Sequence, residues 1–155
     1  MVMKSRIGLV VLAVSFVGLT AGCNKTDEDM QPMFEEMEIQ QAVQGKWRIE
    51  RVNNRLCRSG NCVSVVYYGT DDDYFEFKAD SAFLQRRSTQ SANSLYRDSF
   101  KADYTRLKGG FVLRNFGWSA QVRLMQRQGN KLVLESTYSG TEPSAVFTDT
   151  YFLYK

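Results

Sequence analysis

From Gly45 to Lys155 the chain alternates apolar and polar side chains in short runs, most of them closed by glycine, asparagine, aspartate or serine. A period of two places successive side chains on opposite faces of an extended backbone, so each run reads as a strand with one buried face. In GKWRIERVNN, Trp47 and Ile49 oppose Lys46, Arg48 and Glu50; in YFEFKA, Phe75 and Phe77 oppose Glu76 and Lys78. In WSAQVRLMQR, Trp118, Ala120, Val122 and Leu124 oppose Gln121 and Arg123. CVSVVYY (62–68), AFLQRR (82–87), KLVLESTY (131–138) and AVFTDTYFLYK (145–155) complete the clearer runs. Residues 104–107 and 111–116 flank Lys108, Gly109 and Gly110 and read as a hairpin, while SLYRDSF has room for one more short strand.

These eight or nine strands contain no proline between Pro32 and Pro143. The pattern predicts an all-β, antiparallel up-and-down meander. Closing it into a barrel removes the unpaired edges, and eight strands enclose just enough space for packed side chains or one small ligand. Charged groups on the polar strand faces would be costly against lipid, so the barrel is expected to face water.

Ahead of the strands, residues 33–44 (MFEEMEIQQAVQ) follow Pro32 and predict a helix of two or three turns. Proline suits the first helical turn, and Glu35 and Glu36 complement the helix dipole there. Met33, Met37, Ile39, Ala42 and Val43 form an imperfect apolar face. The folded domain is therefore expected over 33–155, with this helix leading it.

Residues 1–22 have the layout of a signal peptide: Lys4 and Arg6, the uncharged stretch 7–19, then small residues. Ala21-Gly22-Cys23 resembles the lipobox of bacterial lipoproteins, with Leu19 one place earlier than usual and Thr20 in its position. The resemblance implies cleavage before Cys23 and acylation of that cysteine by chains such as palmitate. Several chains together hold a protein stably on a bilayer, where one would bind reversibly. Residues 23–32 then form an acidic tether, whose like charges resist compaction. This tether resembles the export signal of surface lipoproteins in Bacteroidetes, which places the expected product in the cell envelope, on the outer membrane.

Setting the leader aside changes the charge. The whole chain is +3 at neutral pH, but residues 39–155 carry 17 basic against 11 acidic groups. A moderately basic domain with an outward-directing leader and no nucleic-acid motif does not read as a nucleic-acid binder.

Cys57 and Cys62 remain, in RLCRSGNCVSV. An oxidising exterior permits a bridge, and the intervening turn can bring the sulfurs together. Structural zinc needs four cysteine or histidine ligands, and the chain has no histidine, so a disulfide is expected and no metal site.

Gly45-Lys46-Trp47 at the start of the first strand, after a short helix, resembles the G-x-W motif of the lipocalin-like superfamily. The order of YFEFKADSAF, a Gly-Gly turn, GNKLVLES and an aromatic last strand is similar to small lipocalin-like lipoproteins of Bacteroidetes. The resemblance implies an eight- to nine-stranded barrel over roughly residues 40–155, with Gly45 and Trp47 packing its closed end.

No catalytic constellation emerges, since without histidine the commonest general base is missing; no enzyme activity and no cofactor are expected. Asp71, Asp72 and Asp73 read as a solvated turn. A concavity in or at the mouth of a barrel suits a small hydrophobic or amphipathic ligand. Candidate contacts, taken from the apolar phases, are Phe77, Phe83, Tyr104, Phe111, Trp118, Val122, Leu134 and Tyr151. Arg106, Arg114 or Arg123 would meet an anionic ligand. The alternative is a filled barrel serving as a scaffold, with a basic cluster (Arg86, Arg87, Arg97, Lys101, Arg106, Lys108) facing an envelope protein or glycan.

Overall fold

The computed structural model describes residues 36–87, 94–142 and 144–155. The expected signal peptide, Cys23, the tether and the first residues of the leading helix lie outside the described residues.

One helix, α1 (Glu36–Val43), precedes nine strands: β1 (Gly45–Arg58), β2 (Asn61–Tyr68), β3 (Tyr74–Phe77), β4 (Ser81–Arg87), β5 (Leu95–Asp103), β6 (Gly110–Asn115), β7 (Trp118–Gln128), β8 (Lys131–Ser139) and β9 (Ala145–Tyr154). Every described pairing is antiparallel: β1 pairs with both β2 and β3, each strand from β3 to β8 pairs with the next, and β9 returns to β1 from Arg48↔Tyr154 to Arg58↔Ala145. The sheet therefore closes on itself as the sequence pattern predicts.

The count of nine resolves into an eight-stranded barrel with one interrupted stave. β3 pairs with the first residues of β1 and β2 with its remainder, on the same edge and in the same direction. Residues 69–73 break the stave where β1 has a bulge between Ile49 and Arg51. Gly69 makes the crossing possible: a Cβ there would stand 1.8 Å from the Ile49 carbonyl oxygen. Its amide donates to Glu50 O at 2.9 Å, and Ile49 N donates to Asp73 O at 3.1 Å.

The core fills the end of the barrel where the chain enters. Trp47, Ile49, Phe75, Phe77, Phe111 and Leu132 are buried there, joined by Ile39 and Val43 of α1. Trp47 is fully buried, and its Nε1 donates to Val43 O at 2.6 Å. Arg127 Nε donates to Ala42 O at 3.2 Å and Lys155 Nζ to Gln44 O at 3.2 Å. The carbonyls that a helix C-terminus leaves without partners are thus taken by the barrel floor. The chain leaves the helix at Gly45 with φ +105°, a conformation suited to glycine.

Two expectations are corrected. Residues 104–107 are a turn, and the hairpin joins β5 to β6 across residues 104–109, so its first strand lies upstream of the run at 104–107. Asp73 is fully buried rather than solvated, whereas Asp71 and Asp72 are exposed beside Arg48 and Arg87.

Candidate functional site in the barrel mouth

Inward positions change chemistry halfway up the barrel. β4 points Ala82 and Leu84 into the core and Arg86 above them; β5 points Ala102 and Phe100 inward with Asp98 and Tyr96 higher. β8 places Ser136 and Tyr138 above Leu132 and Leu134, and β9 places Asp149 above Tyr151 and Leu153. The strand period continues, but its buried face turns from apolar to polar toward the mouth.

Between these upper positions lies a cavity of about 270 Å³. Leu84, Phe100, Trp118 and Tyr151 form its floor, and Phe116 is exposed at its lip. The Phe100 and Trp118 rings are 5.4 Å apart, and Trp118 meets Tyr138 edge-on at 5.2 Å. The ladder between β5 and β6 has three residue pairs. Above it the two strands are joined by a short hydrogen bond from Asn115 Nδ2 to Asp98 Oδ1, within the cavity wall.

Both carboxyls of the wall have built-in donors. Asp98 also accepts the Tyr96 hydroxyl and the Ser99 amide, each at 2.9 Å. Asp149, 7% exposed, accepts Asn54 Nδ2 at 2.6 Å and the Tyr138 hydroxyl at 3.2 Å. Burial raises the Asp149 pKa above the ordinary carboxylate range, opposed in decreasing order by the Asn54 and Tyr138 hydrogen bonds and the charge of Arg86. The Tyr138 and Tyr151 hydroxyls are pushed well above their usual range, chiefly by burial and then by the nearby Asp149 charge.

Of the eight residues expected to contact a ligand, Trp118 and Tyr151 line this cavity. Phe77, Phe111, Val122 and Leu134 are buried in the core below it. Tyr104 is buried near the floor, where its hydroxyl donates to Lys78 O at 3.1 Å. Phe83 is corrected outright: β4 buries Ala82 and Leu84, so Phe83 faces outward, 5.8 Å from the Tyr74 ring. The candidate arginines are corrected too. Arg106 lies in the β5–β6 turn paired with Asp103 at 2.9 Å, and Arg114 and Arg123 take the outward phases of β6 and β7. Arg86 is the arginine that lines the cavity.

The hairpin of β1 and β2 extends along β9 and is tied near its tip by the Cys57–Cys62 disulfide. Val63 and Val65 of β2 are 66% and 63% exposed. A shallower depression of about 680 Å³ lies on the outer wall around the β1 bulge, lined by Glu50, Gly69, Asp71 and Lys131 among others, away from the aromatic floor. Among the described residues no group of three or more cysteines, aspartates or glutamates is placed to hold a metal ion.

No protein-family model matches the chain, and no curated protein matches it significantly. Among solved structures it is similar to a bovine lipocalin allergen, Bos d 2, at 15% identity over 75% of this chain and 74% of that one, with a TM-score of 0.46. The strand pairings themselves make the fold an all-β, closed antiparallel barrel of eight strands with one extra strand and a short leading helix.

Proposed function

We propose that this protein is a lipid-anchored component of the cell envelope, on the outer membrane, that holds a small amphipathic molecule in the mouth of its barrel. The cavity above the filled core carries the binding half of this reading. Its volume of about 270 Å³ falls just below the ~300–1,000 Å³ usual for ligand pockets, which favours a compact ligand over a long acyl chain. Its aromatic floor and polar wall suit a molecule with an apolar body and a polar end. A wholly apolar ligand would cover the Arg86 guanidinium with nothing to hydrogen-bond, which is costly. Anchoring is supported by the sequence: the basic start, the apolar stretch and Ala21-Gly22-Cys23.

Native mass spectrometry of the protein purified from its own cells tests both halves. A reproducible adduct of defined mass, lost on partial unfolding, supports the ligand. Loss of residues 1–22 with a mass increment of several acyl chains on Cys23 supports the anchor. A protein of bare mass contradicts the first, and an unmodified Cys23 the second.

The scaffold reading is favoured by one observation. β2 is an uncharged strand whose only described pairing is with β1, and it exposes Val63, Val65 and Val66. Sheet edges of this kind accept added strands, and charged residues ordinarily protect them. Photo-crosslinking from position 65 in cells should capture a defined envelope partner on this reading and give no product if the edge is idle.

A further inference from the structure

Four arginines on the outside of this barrel pair with carboxylates, Arg48 with Asp71, Arg58 with Glu142, Arg87 with Asp72 and Arg106 with Asp103, and others make neutral contacts, Arg97 with Gln85 and Arg127 with Ala42 O. Arg86 is different. It is half-buried in the cavity wall, and no ion pair or hydrogen bond joins its guanidinium to another described residue. Its Cζ lies over two ring faces, 5.4 Å from the Tyr96 centroid and 5.9 Å from that of Tyr67. A guanidinium presents five N–H donors in a rigid fork shaped for a planar oxyanion. Part-buried with no carboxylate in hydrogen-bond contact, that of Arg86 leaves its donors available to a bound anion.

The charge of Arg86 acts on Asp149 through space, but neither acid in the wall is joined to its guanidinium by an ion pair or hydrogen bond, since both are held by other donors. Asp98 accepts Tyr96, Ser99 and Asn115, and Asp149 accepts Asn54 and Tyr138. Neutral donors have been built around both carboxyls, whereas the one cation lining the cavity has been left open toward it. Beneath it lies an apolar floor of Phe100, Trp118 and Tyr151.

We propose that Arg86 anchors the anionic group of the ligand, and that the ligand class is a small amphipathic carboxylate whose apolar body rests on that floor. This rests on the ligand-binding reading above and narrows it. Arg86 then decides between ligands of the same shape, because a charge-assisted forked contact outweighs a neutral one.

Calorimetric titration with matched probes tests it: 1-naphthaleneacetate, the neutral 1-naphthaleneacetamide and the cationic 1-naphthylmethylamine, with octanoate and octanamide as an aliphatic pair. In each pair the acid should bind about tenfold or more tighter than the amide, as expected for a hydrogen-bonded charge, with the amine weakest. Arg86→Gln should bring the acid down to the amide's affinity while moving the amide by less than about twofold, and Arg86→Lys should fall between. Thermal unfolding of each variant verifies that the barrel is intact. Equal binding of acid and amide, unchanged by Arg86→Gln, overturns this inference and leaves the ligand-binding reading standing. Tightest binding of the amine overturns it in favour of Asp98 and Asp149 as the selecting groups. Failure of every probe to bind an intact protein overturns both readings.

Discussion

The Tyr67 hydroxyl donates to Asp73 Oδ2 at 2.6 Å, tying the end of β2 to a carboxylate that is fully buried. The same oxygen accepts Thr70 N at 2.6 Å and Thr70 Oγ1 at 2.9 Å, and Oδ1 accepts Arg87 N at 2.7 Å. One side chain therefore fastens β2, the crossing at 69–73 and the upper end of β4. Burial, then the Asp73 hydrogen bond, pushes the Tyr67 hydroxyl up to about 12. Removing Asp73 strands these donors at once. Asp73→Ala should cost about 3 kcal/mol or more in urea unfolding, because each buried donor left without a partner costs about 1–3 kcal/mol. Asp73→Asn should cost less, since it keeps one acceptor oxygen. A loss under about 0.5 kcal/mol for Asp73→Ala, as at ordinary surface sites, would contradict this role.

At the opposite end, Trp47 joins α1 to the barrel through its Nε1 bond to Val43 O, with Arg127 and Lys155 at 4.8 and 4.3 Å from its ring centroid. Trp47→Phe removes the donor and leaves space, and about 2–4 kcal/mol should be lost. The lost interaction lies at the closed end, so affinity in the mouth should change little in the protein that remains folded. Calorimetric titration beside denaturant unfolding separates the two effects.

Reducing the Cys57–Cys62 bridge, which closes a loop of six residues, should cost no more than about 2 kcal/mol on the chain-entropy estimate. The β1 half of the hairpin stays paired with β9 along residues 51–58. Hydrogen exchange should therefore quicken in β2 and stay slow in β1 and β9 after reduction. Equal loss of protection in all three strands would show that the bridge holds the barrel itself.

How much of this was legible in the sequence depended on whether a strand kept its apolar face. β1, β3 and β7 declare their inward residues because Trp47, Phe75 and Val122 alternate with charge. β4 offers apolar residues in both phases: Phe83 is the largest, yet the run Ala82, Leu84 faces the core, and choosing the larger side chain hides Arg86. The upper halves of β5, β8 and β9 are harder still, because Asp98, Ser136 and Asp149 point inward and erase the alternation on which the reading depends. A binding wall made of polar groups looks in sequence like a solvent face. Asp73 was obscured for a similar reason, since two exposed aspartates precede it and only the tertiary donors distinguish it.

Asp149 sets the acid-side behaviour. Its folded pKa is raised, chiefly by burial. A carboxyl raised in this way stabilises the fold fully below its unfolded pKa of about 3.9, and that contribution is lost as pH rises through the raised value. The stability of the wild type relative to Asp149→Asn should therefore decline across that window and level off above it. Urea unfolding of both proteins from about pH 3.5 upward checks the slope, for which one titrating group allows at most about 1.4 kcal/mol per pH unit. A difference that grows with pH would reverse the sign and contradict the burial account.

The most direct measurement is a high-resolution crystal structure of the protein isolated from its own cells without added ligand. Continuous density for one compact molecule is expected between the Arg86 guanidinium and the Trp118 ring. Side chains collapsed into the space above Phe100, or ordered water alone in a protein never stripped of its contents, would contradict it.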